Sequence, residues 1–437
     1  MPASANVAAI ARRPERERFY FRVGYNDHVV LDRLLAERKL HADGVVLGAR
    51  WHQRHEGLRR HADEVMVATC LDTQAMELAL PAAVSKGYSD LPWASVRSLT
   101  PTDFSSRRVG QFVESIVERV VEGGYTEVLS PSHYLADAGS EWLDIDCALV
   151  GELRTQLESV NRDAVRITHP LAVHHSVFYS AAARTELVRA LRSLSGIDAI
   201  SLRIQPFGYS AGPHVMRSFI EACWDLRQVE VPLMVERAGF AGVAAYALGA
   251  VDCIESGITL GDSFDLGALQ RPPKSAKRSF APPQRVYIEA LGVAVERAIA
   301  ARLMNSQRGR SNYACRVHTC CPNGSQDMLR DAERHSVLAR QRQFTELARV
   351  PPSMRAEHFI HSVATPACDM LARASDVDVR FKKMHRRNIS VKETLLDLAN
   401  EQRRAREHAA ATKVLRRPHP DNGVRIIPLN PREPRGR

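Results

Sequence analysis

Three cysteines and a histidine form the densest cluster of reactive side chains in the chain: Cys315-x4-Cys320-Cys321, with His335 further on in a segment of helical spacing. Thiolates and imidazole are soft ligands, and three Cys with one His close a tetrahedral zinc site of the structural kind. Adjacent cysteines do not readily bridge each other, yet both can reach one ion where the chain turns sharply, and Pro322-Asn323-Gly324 supplies such a turn. His318, inside the loop, competes with His335 for the nitrogen position. The expected cofactor is a structural Zn2+ on Cys315, Cys320, Cys321 and His335.

Acidic residues at the ends of apolar runs form the second set. Asp72 follows Val65–Cys70, while Asp252 and Glu255 lie in and just after the last strand run, in Gly249-Ala-Val-Asp-Cys-Ile-Glu-Ser-Gly257. Two carboxylates facing each other across a barrel mouth divide into nucleophile and general acid/base, as glycosidic-bond chemistry requires. On period-2 alternation Asp252 and Glu255 point to opposite faces of a regular strand, so one of the two lines the mouth. His133 and His169, at other strand ends, are read as substrate-binding residues of the same pocket. No His-x-His follows a first strand, which argues against a catalytic metal inside the barrel.

These residues need a frame that brings strand ends together. From Phe19 to Glu255 short apolar runs alternate with helical stretches such as Val109–Glu122, Ala181–Ser193, His214–Leu226 and Gly242–Leu248. The expected strands are Phe19–Val23, Asp43–Leu47, Glu64–Ala68, Glu127–Leu129, Ala164–Thr168, Ala199–Ile204, Pro232–Val235 and Val251–Ile254. That alternation, without a Gly-x-Gly-x-x-Gly turn after the first strand, indicates an α/β fold, a (β/α)8 TIM-type barrel, whose chemistry gathers at the C-terminal strand ends. The expected organisation is a flexible N-terminus (1–18), the barrel (19–305), a zinc-binding helical subdomain (306–375), a basic helical extension (376–417) and a disordered tail (418–437). Gly267–Gln284 reads as a linker, with helices over Val286–Asn305, Met328–Leu347 and Ser390–Leu415.

The 437 residues are 45% hydrophobic and 25% charged, which excludes disorder over the whole chain. The net charge is +10, and Arg380–Arg417 alone holds twelve Lys/Arg against four Asp/Glu. The barrel is therefore near neutral, and the basic segment reads as a phosphate-contacting arm. Eight cysteines and no apolar leader point to a reduced, cytoplasmic setting, and no run of 18 apolar residues offers a membrane span. Self-association stays open.

The segment from Val231-Pro-Leu-Met-Val through Ala245-Tyr-Ala-Leu-Gly-Ala-Val-Asp-Cys-Ile-Glu255 resembles the tRNA-guanine transglycosylase pattern A-L-G-V-D-M-F-D-C, with Ala250 as an extra residue. Leu71-Asp-Thr-Gln-Ala-Met-Glu-Leu78 is similar to the family's T-D-S-G-G-F-Q, and the Cys315–His335 cluster occupies the place of its C-x-C-x-x-C…His zinc site. The resemblance implies base exchange in tRNA or DNA, with a nucleic acid and a free base as partners. It implies Glu255 as nucleophile, Asp252 as the alternative, and Asp72 in acid/base work. Glu255 stands where the family has Asp, the Ser-Gly-Gly loop is absent and the cysteine spacing differs. These departures imply a divergent branch, related to the transglycosylases that insert deazaguanines into DNA. Two other readings of the residues are a barrel hydrolase or lyase acting on a small molecule, and an inactive nucleic-acid-binding paralogue.

Overall fold

Eight parallel strands close into a barrel in a computed structural model that describes residues 17–82, 87–137, 139–258, 263–271 and 284–415. The strands are β1 (Arg18–Val23), β2 (Gly44–Gly48), β3 (Ala68–Asp72), β4 (Glu127–Leu129), β5 (Arg166–His174), β6 (Ala199–Gln205), β7 (Leu233–Glu236) and β8 (Cys253–Ser256). β8 pairs with both β7 and β1, so the barrel has no open edge. The (β/α)8 fold expected from the alternating pattern is the one observed. The expectations for 1–16, most of the Gly267–Gln284 linker and the tail 418–437 lie outside the described residues.

Strand side chains alternate in role. Phe19, Phe21, Val45, Leu47, Leu71, Val128 and Ile254 face the helices and belong to one continuous core. Tyr20, Val46, Cys70, Leu129, Met234 and Cys253 form a separate cluster inside the barrel. The helices meet the outer core with stripes at i, i+3 and i+4, such as Phe112, Val113, Ile116 and Val120 on Ser106–Gly123. Each buried Leu or Phe contributes about 1.5–3 kcal/mol by leaving water. Within the barrel, Tyr20 and Arg18 donate to Glu127 at 2.9 and 2.5 Å near the N-terminal end, the apolar cluster fills the middle, and charged residues occupy the C-terminal end.

Several elements differ from the sequence reading: the expected helix Met328–Leu347 is two helices, Ser325–Arg330 and Ala332–Arg349, broken at Asp331, and the last strand lies two residues later than Val251–Ile254. The helix Glu56–Glu64 occupies the chain before β3, and β3 starts four residues later than expected, so Asp72 becomes its last residue. The expected helix Val286–Asn305 is instead a hairpin, Arg285–Ile288 with Val293–Glu296, followed by the helix Arg297–Leu303. Its β-branched residues favour strands, and Gly292 makes the turn at φ +65°. The C-terminal helix starts at Val379 and runs to Leu415, burying Phe381, Val391, Leu395 and Leu398 against helices Pro213–Leu226 and Thr365–Ala374. The helix Ala332–Arg349 lies over the β1–β8 seam, where Phe344 stacks on Phe19 at 5.0 Å.

Candidate active site and metal centre

Inward-facing positions at the C-terminal ends of five strands converge on one charged layer. Arg22 of β1 grips Glu255 of β8 with two hydrogen bonds, Nε to Oε1 at 2.6 Å and Nη2 to Oε2 at 2.7 Å. It also donates to Glu236 of β7 at 2.8 Å and to Asp72 of β3. Arg203 of β6 donates to Glu236 and Asp72, both at 2.8 Å. The Gln74 N–H and the Ser201 hydroxyl complete the set, on Asp72 Oδ1 and Glu236 Oε1. All six oxygens of the three carboxylates thus accept hydrogen bonds, and the five side chains are almost wholly excluded from water. Charges buried this deeply persist only when paired in this manner.

Unequal environments divide the acids. Burial raises the proton affinity of Asp72, but Arg203 and Arg22 more than offset it and hold the carboxyl well below its ordinary range. Glu255 is shifted upward because burial outweighs the help from Arg22. Glu77, in the short helix Ala75–Leu78, is pushed up by burial and then by neighbouring Asp72, and its Oε2 has no hydrogen-bond partner among the described residues. Arg237 follows Glu236 in a left-handed conformation, φ +52°, with a buried Nε that lacks a partner among the described residues. Gln74 is left-handed too, at φ +55°. Such conformations cost non-glycine residues roughly 1–3 kcal/mol and cluster at functional sites.

Asp72 and Glu255 therefore share one guanidinium, whereas Asp252 lies elsewhere. It sits just before β8, accepting from Arg227 Nη2 at 2.8 Å and from the Leu233 N–H at 2.9 Å. His133 and His169 are also outside the charged layer. His133 stacks on Trp142 at 3.8 Å and binds Asp146 at 2.6 Å, both on the helix Trp142–Ser159. His169 shares the outward face of Ile167 and Leu171 and meets the Ser130 hydroxyl at 2.9 Å. Arg22, Arg203, Glu236, Glu77 and Arg237 were not singled out in the sequence. The available signal was alternation: Arg18-x-Tyr20-x-Arg22 and Ser201-x-Arg203 place their polar members on the inward face.

The cysteine cluster is assembled as expected. The ligand atoms of Cys315, Cys320, Cys321 and His335 all lie within 4.8 Å of one another. Cys320 and Cys321 Sγ are 3.6 Å apart, and each is 3.4 Å from His335 Nδ1. Tetrahedral zinc bonds of about 2.3 Å to sulfur and about 2.0 Å to nitrogen set ligand separations of about 3.8 and about 3.5 Å, so the donor set fits such an ion. His335 Nε2 lies 2.9 Å from the Tyr287 carbonyl, which fixes the proton there and leaves Nδ1 bare for a metal. His318 is exposed and outside the cluster. Among the described residues, no helix is long and apolar enough to cross a membrane.

No family model matches the chain, and no curated protein matches it. Among solved structures it is similar to a putative phosphonomutase from Burkholderia cenocepacia J2315, at 12% identity over 57% of this chain and 91% of that one, TM-score 0.34. It is also similar to xylanase 10B from Thermotoga maritima, at 11% identity over 58% of this chain and 84% of that one, TM-score 0.37. A third is 3-dehydroquinate dehydratase from Enterococcus faecalis, at 11% identity over 60% and 94% of the two chains, TM-score 0.34. These distant likenesses carry no reaction over to this chain.

Proposed function

We propose that this barrel is an enzyme of the tRNA-guanine transglycosylase type, exchanging a purine or deazapurine base in a nucleic acid, tRNA or DNA. The observation that carries the reading is the meeting of Asp72 and Glu255 on Arg22 at the barrel mouth. In the proposed cycle a Glu255 oxygen attacks the anomeric carbon of the nucleotide and the bond to the base breaks. The departing base takes a proton, and the incoming base loses one before it displaces Glu255. Esterified Glu255 gives up its negative charge, and Asp72 and Glu236 remain to neutralise Arg22. Glu77, whose carboxyl burial keeps protonated to higher pH, suits donation to the leaving base, and the carboxylate so formed takes the proton of the incoming one. Asp72, held ionised by two guanidiniums, is too weak a base for that step and serves to keep Arg22 neutralised. Zinc on Cys315, Cys320, Cys321 and His335 would have all four positions filled by protein and serve as structural support.

A labelled-base exchange assay with tRNA and with duplex DNA tests the proposal. Glu255→Gln and Asp72→Asn should each abolish label transfer with zinc content unchanged, and transfer retained in both would defeat the site assignment. The saturation of all six carboxylate oxygens favours a second reading, a nucleic-acid-binding barrel without turnover. Absence of exchange by the wild-type chain on both polymers would select that reading.

A further inference from the structure

A second set of side chains lines the same rim of the barrel without entering the charged layer. Tyr25 follows β1, Arg50, Trp51 and Arg54 follow β2, and Tyr88 lies beyond β3, so all five stand on the C-terminal side of the first three strands. They form a ladder of rings and guanidiniums. The Arg54 guanidinium lies 3.8 Å over Tyr25, and Tyr25 meets Trp51 edge-on at 4.7 Å. Arg50 lies 4.0 Å over Trp51 and 4.9 Å from the Tyr88 ring. Tyr25 is 49% exposed, Arg54 is exposed, and the other three are half-buried.

The two arginines are held differently from those of the mouth. Arg22 and Arg203 are engaged by carboxylates, whereas among the described residues Arg54 donates to the Tyr25 carbonyl and to Asn26 Oδ1. Arg50 makes no ion pair among the described residues. A guanidinium seated on a ring face keeps its charge and much of its N–H edge for an anion. Exposed ring and guanidinium faces, in turn, accept unpaired bases. Tyr88 joins the ladder to the mouth: burial, then Glu77, pushes its hydroxyl up to about 12, with Asp72 adding to the effect.

We propose that this rim is a landing surface for a single-stranded segment of nucleic acid, with bases stacking at Tyr25 and Arg54 and phosphates taken by Arg50 and Arg54. The assignment rests on the nucleic-acid part of the function proposed above and is independent of base exchange. It places the contact on the barrel itself, apart from the basic C-terminal helix.

Fluorescence anisotropy with a fluorescein-labelled oligo-dT strand tests it, using the full chain over a salt series. Arg54→Ala, an exposed change that spares the core, and Tyr25→Ala should each weaken binding by about tenfold. Arg54→Ala should also lower the slope of log affinity against log salt by about 0.7 for its lost phosphate contact. Lys382→Ala/Lys383→Ala, in the C-terminal helix, should leave the effect of Arg54→Ala in place. Unchanged affinity and slope in both rim variants would overturn the proposal. So would an equal loss of binding to inorganic polyphosphate or blunt duplex in Tyr25→Ala, because neither offers an unpaired base. Exchange activity measured in the same variants separates the two ideas. Unaltered binding with active exchange removes the rim and keeps the enzyme, whereas weakened binding without exchange in the wild type does the reverse.

Discussion

Removing Arg22 is the most demanding test of the charged layer. Arg22→Met keeps a long side chain in the barrel but leaves Asp72, Glu236 and Glu255, among the described residues, with only Arg203 as a directly bonded guanidinium, and Arg203 bonds Glu236 and Asp72 but not Glu255. Glu255 loses both of its charged hydrogen bonds while its side chain has no exposure to water. Breaking a buried pair by deleting one partner costs about 3–5 kcal/mol, a large part of a typical stability of about 5–15 kcal/mol. At roughly 2–4 °C per kcal/mol for a domain of this size, the melting temperature should fall on the order of 10 °C. The sign of the pH dependence follows from the unpaired acid. Burial already raises the folded-state pKa of Glu255, and losing Arg22 raises it further. The folded state then binds a proton that the unfolded state has released, so the variant loses stability as pH rises above the ordinary carboxylate range. Its deficit against wild type should be larger at pH 8 than at pH 5 by differential scanning fluorimetry, and Arg22→Met/Glu255→Met should recover part of it. A single variant within about 1 kcal/mol of wild type at every pH would refute the reasoning, because a pair so exposed to solvent would not be buried at all.

The metal centre should carry about one zinc per chain by mass spectrometry, and Cys320→Ser/Cys321→Ser should remove it and lower the melting temperature. Asp252→Asn should cost about 1.5–3 kcal/mol through its bond to Arg227 yet leave base exchange intact, since its carboxylate lies away from the mouth. Burial, and then His28, depress His55 to about pH 4 from 6.5. The folded state therefore resists the proton that the unfolded state takes up, and stability drains away as pH falls from about 6.5 to about 4. His55→Phe should flatten the melting temperature between pH 7 and pH 5, and an unchanged slope would exclude His55 as a contributor.

Alternation and composition made much of the barrel readable, because a parallel strand covered on both faces needs β-branched and apolar residues in short runs. Phe19–Val23 and Ala199–Ile204 coincide closely with β1 and β6 for that reason. Boundaries were less legible where helix and strand compete for the same residues. Val65–Ala68 is as apolar as a strand, but the helix Glu56–Glu64 precedes it and Met66 adopts φ +60°, which delays β3. The cysteine cluster was legible because soft ligands at close spacing have few other uses. The arginines of the mouth were not, because a buried Arg and a surface Arg read identically until strand ends 233 residues apart are seen side by side. His133 and His169 show the reverse problem: both follow or occupy strands, but their outward orientation is set by neighbours on other elements.

The seam has a further consequence during synthesis. Arg22 belongs to the first strand and Glu255 to the eighth, and their pairing joins the two strands that close the barrel. At a translation rate of about 5–20 residues per second, the interval between them lasts on the order of 10–50 s. Throughout that time the β1 edge that β8 will cover presents unpaired backbone groups, and Arg22 lacks its strongest partner. Barrel closure is thus a late, long-range event whose nascent intermediate carries an adhesive strand edge. A shielding factor bound to that edge would act most effectively before β8 emerges.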